Sequence, residues 1–159
     1  MTASLPDTPT TGRFLGREHR FPVRVYFEDT DFSGVVYHAN YLRFMERARS
    51  DMLRVAGIDQ RDAFANGDGV YAVADLSIRY RRPARFDDAL VIISTVEQLR
   101  AAACVIQQRV MLGAELMAEA RVTAAFITPD GRPRRQPADW MKAFQRLLPE
   151  SPAKIEESR

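Results

Sequence analysis

Hydrophobic positions along this chain change period from two to about 3.6 and back to two. Val23, Val25 and Phe27 alternate with Arg24 and Tyr26, so Phe21 to Phe27 is expected to be a strand. Turn-prone residues from Asp29 to Gly34 end it. The pattern then becomes helical from Ala39 or Asn40, where Tyr41, Phe44, Met45, Ala48, Met52 and Val55 form one apolar stripe. Arg43, Arg47, Asp51 and Arg54 fall on the other side, with Arg47 and Asp51 spaced to pair. Asn40 is placed to act as N-cap and Gly57 as the glycine that ends the helix. Gln60 to Ala65 reads as one further short helical turn.

Alternation returns at Val70. Ala72, Ala74, Leu76, Ile78 and Tyr80 share one face, and Asp75, Ser77 and Arg79 the other. Leu90 to Val96 is a mostly apolar run. Cys104, Ile106 and Val110 alternate with Val105, Gln107 and Arg109, and Leu116, Ala118, Ala120, Val122, Ala124 and Phe126 with Glu119, Arg121 and Thr123. Short links between these successive strands predict antiparallel pairing. Pro129-Asp130-Gly131 ends the last strand. Ala138 to Leu147 reads as a terminal helix with Trp140, Phe144 and Leu147 on one side. The expected class is α+β: a five-stranded antiparallel sheet curled around one long helix.

Length and composition sharpen this outline without changing it. A chain of 159 residues, 46% hydrophobic and 28% charged, suits one domain with a sizeable core. That domain is expected over residues 19–148, between a disordered arm (1–18) and a flexible tail (149–159). A net charge of +2 gives no argument for nucleic acid. No run approaches the roughly 18 apolar residues of a membrane helix. The segment from Met1 to Gly16 has no apolar stretch of the secretory kind, so a cytoplasmic location is expected. The single cysteine, Cys104, lies in an alternating apolar run and reads as a small buried hydrophobe.

The candidate chemistry sits between the first strand and the long helix, in Asp29-Thr30-Asp31-Phe32-Ser33-Gly34-Val35-Val36-Tyr37-His38-Ala39-Asn40-Tyr41. Two carboxylates and one of only two histidines stand beside a helix start. A carboxylate there can attack or activate water, and the first free helix amides can polarise a carbonyl, which together is what acyl transfer requires. Spacing by itself favours the plainer reading, in which Asp29 and Asp31 are turn and cap residues. Ser33 before Gly34 also reads as a turn residue. His19 and His38 have no metal-ligand spacing with cysteines, so no metal is expected.

The string Val25-Tyr26-Phe27-Glu28-Asp29-Thr30-Asp31, then Gly34 to Ala39, Tyr41 and Glu46-Arg47-Ala48-Arg49, resembles the YbgC-type acyl-CoA thioesterases. These belong to the 4-hydroxybenzoyl-CoA thioesterase family and are often associated with the Tol–Pal system. Tyr80, Pro83-Ala84-Arg85 and Asp87-Asp88 extend the resemblance, so that residues 22–88 carry it. It implies a hotdog fold, a homodimer or dimer of dimers with active sites at the subunit interface, an acyl-CoA substrate and no cofactor. It places the catalytic aspartate on Asp31 and a supporting histidine on His38. Gly34, Val36, Tyr37, Asn40 and Tyr41 are then expected to line the substrate site. Many members carry tyrosine where this chain has Phe27.

Other assignments remain weaker. Glu46 reads chiefly as a partner of Arg49 or Ser50, although some hotdog thioesterases use a glutamate on the long helix. Among Arg79, Arg81, Arg82 and Arg85, Arg82 and Arg85 are nominated for the phosphates of coenzyme A, against a solvated strand edge. Arg132, Arg134 and Arg135 read as a solvated loop. Two rival functions stay open: a hydratase or dehydratase of acyl thioesters on the same fold, and a non-catalytic acyl-binding scaffold. The latter would dock on an acyl-carrier or envelope complex.

Overall fold

The structure is a computed structural model and describes residues 7–150. Its strands are β1 (Arg13–Leu15), β2 (Glu18–Arg24), β3 (Val70–Tyr80), β4 (Ala89–Leu99), β5 (Ala103–Leu112) and β6 (Glu115–Ile127). Its helices are α1 (His38–Val55), α2 (Gln60–Ala65) and α3 (Ala138–Leu147), with a short 3-10 turn at Phe27–Asp29. The strands make one antiparallel sheet in the order β1-β2-β4-β5-β6-β3. α1 and α3 pack on one face of it. This is the hotdog arrangement, with six strands rather than the expected five.

The extra strand comes from the arm expected to be disordered. Arg13 pairs with Arg20, and Leu15 with Glu18. Three residues have no period of their own to read; β2 supplies the template for them. The expected boundary between residues 18 and 19 therefore falls inside the sheet. Of the expected flexible tail, residues 151–159 lie outside the described residues, and Glu150 accepts from Arg17 at 3.1 Å.

β2 ends at Arg24, short of the expected Phe27, because Asp29 folds the chain back. Its Oδ2 accepts the Tyr26 amide at 2.8 Å, and its own amide donates to Tyr26 O at 3.0 Å. On β3, the register with β6 shifts between Val73 and Asp75. Ala74 is the extra residue of this bulge. It and Tyr80 are exposed, rather than facing inward with Leu76 and Ile78.

α1 buries Phe44, Met45, Ala48 and Met52, and contacts β2, β4 and β5. The first three share a cluster with Val23, Leu90, Ile92, Val110 and Val122. Each large side chain so buried contributes about 1.5–3 kcal/mol. Leu53 is buried, and Val55, expected in the stripe, is exposed. α3 closes the other end of the same face, where Phe144 packs with Met52, Val96 and Ile106. Trp140 stacks on Tyr71 with ring centroids 5.8 Å apart.

Two polar clusters lie under α1. Gln108 of β5 donates from Nε2 to Met45 O and Ser94 Oγ, both at 2.9 Å, and its Oε1 accepts from Arg49 at 2.8 Å. The second joins β2 to α1. Asp51, expected on the polar side with Arg47, is only 2% exposed. It meets His19 Nε2 at 2.7 Å, the Gly12 amide at 2.8 Å and Arg54 at 2.8 Å. These bonds fasten β1 and β2 to the helix, and a buried carboxylate needs such partners.

Candidate active site

The segment from Thr30 to Tyr37 is held at both ends by backbone bonds. Thr30 bridges to Val36 and Val35 to Arg85. The Val36 amide donates to Ala84 O at 2.8 Å, and the Tyr37 amide to Asp29 O at 2.9 Å. Between them the Asp31 amide donates to Val35 O and the Gly34 amide to Asp31 O. Gly34 has φ +80°, which a residue without Cβ adopts readily. The outcome is a tight loop that presents Asp31 at its rim.

Asp31 is exposed. Its Oδ1 accepts from Ser33 twice, from the hydroxyl at 2.5 Å and the amide at 2.8 Å. A backbone contact from Val35 also bears on the carboxyl. The Ser33 hydroxyl and amide are the main causes that hold the Asp31 carboxyl below its ordinary range, with His38 adding a smaller pull in the same direction. The group is therefore ionised at neutral pH.

Tyr37 is the N-cap of α1, and His38 is its first residue. Asn40, expected as the cap, sits inside the first turn and donates from Nδ2 to Asp29 O at 2.9 Å. It thus ties the loop to the helix instead of accepting an amide, as a cap would. Helix geometry leaves the first amides without intrahelical acceptors. Asn40 N is satisfied by Tyr37 O at 2.8 Å. Among the described residues no acceptor outside the helix is seen for the amides of His38 and Ala39, which lie at the positive end of the helix dipole.

Beside this helix start runs an open groove of about 270 Å³, lined by Val36, His38, Tyr41, Tyr80, Arg81, Arg82 and Pro83. Among the expected site residues, it gathers Val36, His38, Tyr41 and Arg82. Asp31, Gly34, Tyr37, Asn40 and Arg85 are not among its walls. Val36 is mostly core, 4% exposed. Tyr37 packs against the His38 ring at 4.4 Å between centroids. The Tyr41 hydroxyl accepts the Ala84 amide at 3.0 Å, and burial is the main cause that raises its pKa. Arg82 lies 3.8 Å from Glu115, and Arg81 pairs with Glu119 at 2.7 Å.

Tyr80 has a part that its strand pattern did not mark. Its hydroxyl donates to His38 O at 2.8 Å, and its ring meets Tyr41 edge-on at 5.4 Å. As an alternating residue at a strand end, it looked like one more inward aromatic. Only the approach of β3 to the helix start reveals the bond.

Glu46 lies about two turns along α1 from this loop and is exposed; it pairs with Arg49 at 3.8 Å, as expected. Both border a smaller cleft of about 150 Å³ between α1 and β3, with Cys104 and Ile106 at its back. Burial pushes the Cys104 thiol up to about 12, as suits an inert core residue. Among the described residues no cluster of acidic, histidine and cysteine side chains could hold a metal. No described helix is long and apolar enough to cross a membrane.

An open carboxylate beside a helix start, on a hotdog frame, defines a candidate thioester-cleaving site, and the comparisons agree with that class. The family model of the thioesterase-like superfamily matches residues 25–148, and the chain belongs to that family. It is 39% identical over 107 residues to the acyl-CoA thioesterase YbgC of Haemophilus influenzae, covering 67% of this chain and 79% of the relative. It is 38% identical over 128 residues to the acyl-CoA thioester hydrolase YbgC of Escherichia coli, covering 79% and 95%. A probable thioesterase from Bartonella henselae superposes with a TM-score of 0.72 at 40% identity, covering 76% of this chain and 99% of that one.

Proposed function

We propose that this chain hydrolyses an acyl-CoA thioester to the free acid and coenzyme A, with Asp31 as the catalytic carboxylate. The observation that carries the reading is the state of that carboxylate. The residue is exposed, one carboxylate oxygen is held by Ser33, and the Ser33 bonds favour the ionised form. The similarity to YbgC thioesterases supports the choice of substrate class.

The chemistry follows from two groups. The amides of His38 and Ala39 donate to the thioester oxygen as it gains charge, aided by the helix dipole. Asp31 then acts in one of two ways. By direct attack, its oxygen bonds to the acyl carbon, the C–S bond breaks, and water hydrolyses the resulting anhydride. As a general base, it takes a proton from water, whose oxygen attacks the same carbon. In both, the departing thiolate takes a proton, for which His38 is the adjacent donor. In this reading Arg82, which lines the groove, meets a coenzyme A phosphate.

The reading includes a homodimer in the cytoplasm. β3 is a long edge strand, with β6 on one side only, and an open edge of this kind invites pairing with a second copy. The test is thiol release from acyl-CoAs of several chain lengths and one aromatic thioester. Asp31→Asn is expected to keep its fold and lose at least about a hundredfold in kcat. Near wild-type turnover in that variant would overturn the assignment. Rapid acid quench followed by mass analysis separates the two routes, since only direct attack leaves an acyl group on Asp31.

A further inference from the structure

We infer that Ser33 is a positioning residue for Asp31: its hydroxyl and amide together hold one carboxylate oxygen, so that the other is presented to the substrate. The inference rests on the reading of Asp31 as the catalytic carboxylate. The geometry is specific. Both Ser33 donors converge on Oδ1, at 2.5 Å and 2.8 Å, and neither is shared with Oδ2. The loop leaves little freedom to rearrange, because Asp31 N and O are both bonded, to Val35 O and the Gly34 amide. An exposed carboxylate without such a hold would rotate about χ2, whose well is broad. Its attacking oxygen would then spend much of its time misplaced.

The same contact sets the charge. A hydroxyl and an amide donating to the carboxylate favour its ionised form. Ser33 is the leading cause that keeps Asp31 below its ordinary range; the Val35 contact and His38, at the start of α1, contribute in the same direction. Either catalytic route needs the ionised form, so Ser33 would extend activity toward acid pH. A residue that served only the turn would leave that limb of the pH profile where it was.

The experiment compares the full-length chain with Ser33→Ala and Ser33→Thr. Ser33→Ala removes the hydroxyl and keeps the amide. Two quantities are read: the Asp31 carboxyl titration by carbon-detected NMR, and kcat against pH. In Ser33→Ala the NMR titration and the acid limb of kcat are both expected to move to higher pH. On the plateau kcat should fall about threefold to tenfold, with KM changed by less than about twofold. Ser33→Thr should restore both. An NMR titration unmoved in Ser33→Ala would overturn the inference and leave the Asp31 assignment to the Asp31→Asn test. An NMR titration that moves while the acid limb stays would show that Asp31 does not govern turnover, overturning the assignment and the role of Ser33 in it together.

Discussion

His19 Nε2 lies 2.7 Å from Asp51 Oδ2, and neither side chain is reached by water to any useful extent, at 0% and 2% exposure. Among the described residues, His19 Nδ1 has no hydrogen-bond partner. That pattern suits a neutral imidazole that donates from Nε2 and leaves Nδ1 as a bare acceptor. Protonation would place a buried N–H at Nδ1 with nothing to receive it. Burial is accordingly the largest influence on His19 and lowers its pKa, against the opposing pull of Asp51.

The sign of the pH effect follows. Unfolded, His19 takes a proton near its ordinary value of 6.5; folded, it does so only at lower pH. The unfolded state therefore binds more protons as pH falls below about 6.5, and stability should decline there. Asp51 adds a second loss further down. Burial alone would raise its pKa, but the bonds from Arg54, His19 and Gly12 together lower it, so its contribution fades below the ordinary 3.8. Thermal melts from pH 7.5 to 5 should show Tm falling, and His19→Gln, which cannot titrate, should flatten that slope. An equal slope in both proteins would refute the account.

Gly12 is confined by what surrounds it. A Cβ there would lie 2.5 Å from Arg20 O, 2.7 Å from Asp51 Oδ2 and 2.8 Å from His19 Nε2. Backbone and buried partners leave no room to yield. Gly12→Ala is expected to destabilise by about 2 kcal/mol, which corresponds to roughly 4–8 °C in Tm. Amide hydrogen exchange should show the loss concentrated in β1 and the first half of β2.

Tyr80 anchors the helix start from the other side of the groove. Tyr80→Phe keeps the ring contacts with Tyr41 and removes only the bond to His38 O. The net worth of such a bond is about 1 kcal/mol, so the variant should fold normally. Its effect should appear in kcat, reduced severalfold, because the His38 and Ala39 amides lose part of their fixed orientation. Thiol-release kinetics beside a melting curve would check it.

Phe27 is 83% exposed and sits in the 3-10 turn below Asp31. Restoring the tyrosine that many relatives of this type carry adds a hydroxyl in solvent. Phe27→Tyr should change stability by less than about 0.5 kcal/mol. If that hydroxyl assists catalysis, kcat should rise with Tm unchanged; the expected outcome is a rise of a few-fold in thiol release.

Much of this molecule could be read from local pattern alone. α3 spans Ala138–Leu147, α2 spans Gln60–Ala65, and Gly57, with φ +88°, follows the end of α1, all as their periods and turn residues predict. Periodicity works there because the face an element buries is written in its own residues. For the loop around Asp31, spacing by itself favours a turn, and only the family string points to catalysis.

What the sequence by itself determined was where the longer strands and the helices lie and most of their apolar faces. Only the tertiary structure decided the roles of polar residues whose partners lie far along the chain. Asp51 looked like a surface residue beside Arg47 because His19 and Gly12, its true partners, are 32 and 39 positions away. β1 has too few residues to show a period and exists as a partner of β2. Asn40 and Tyr80 owe their bonds to loops and strands brought to the helix start by the closing sheet. Apolar burial is non-directional and follows a stripe, whereas a hydrogen bond requires one donor at one place.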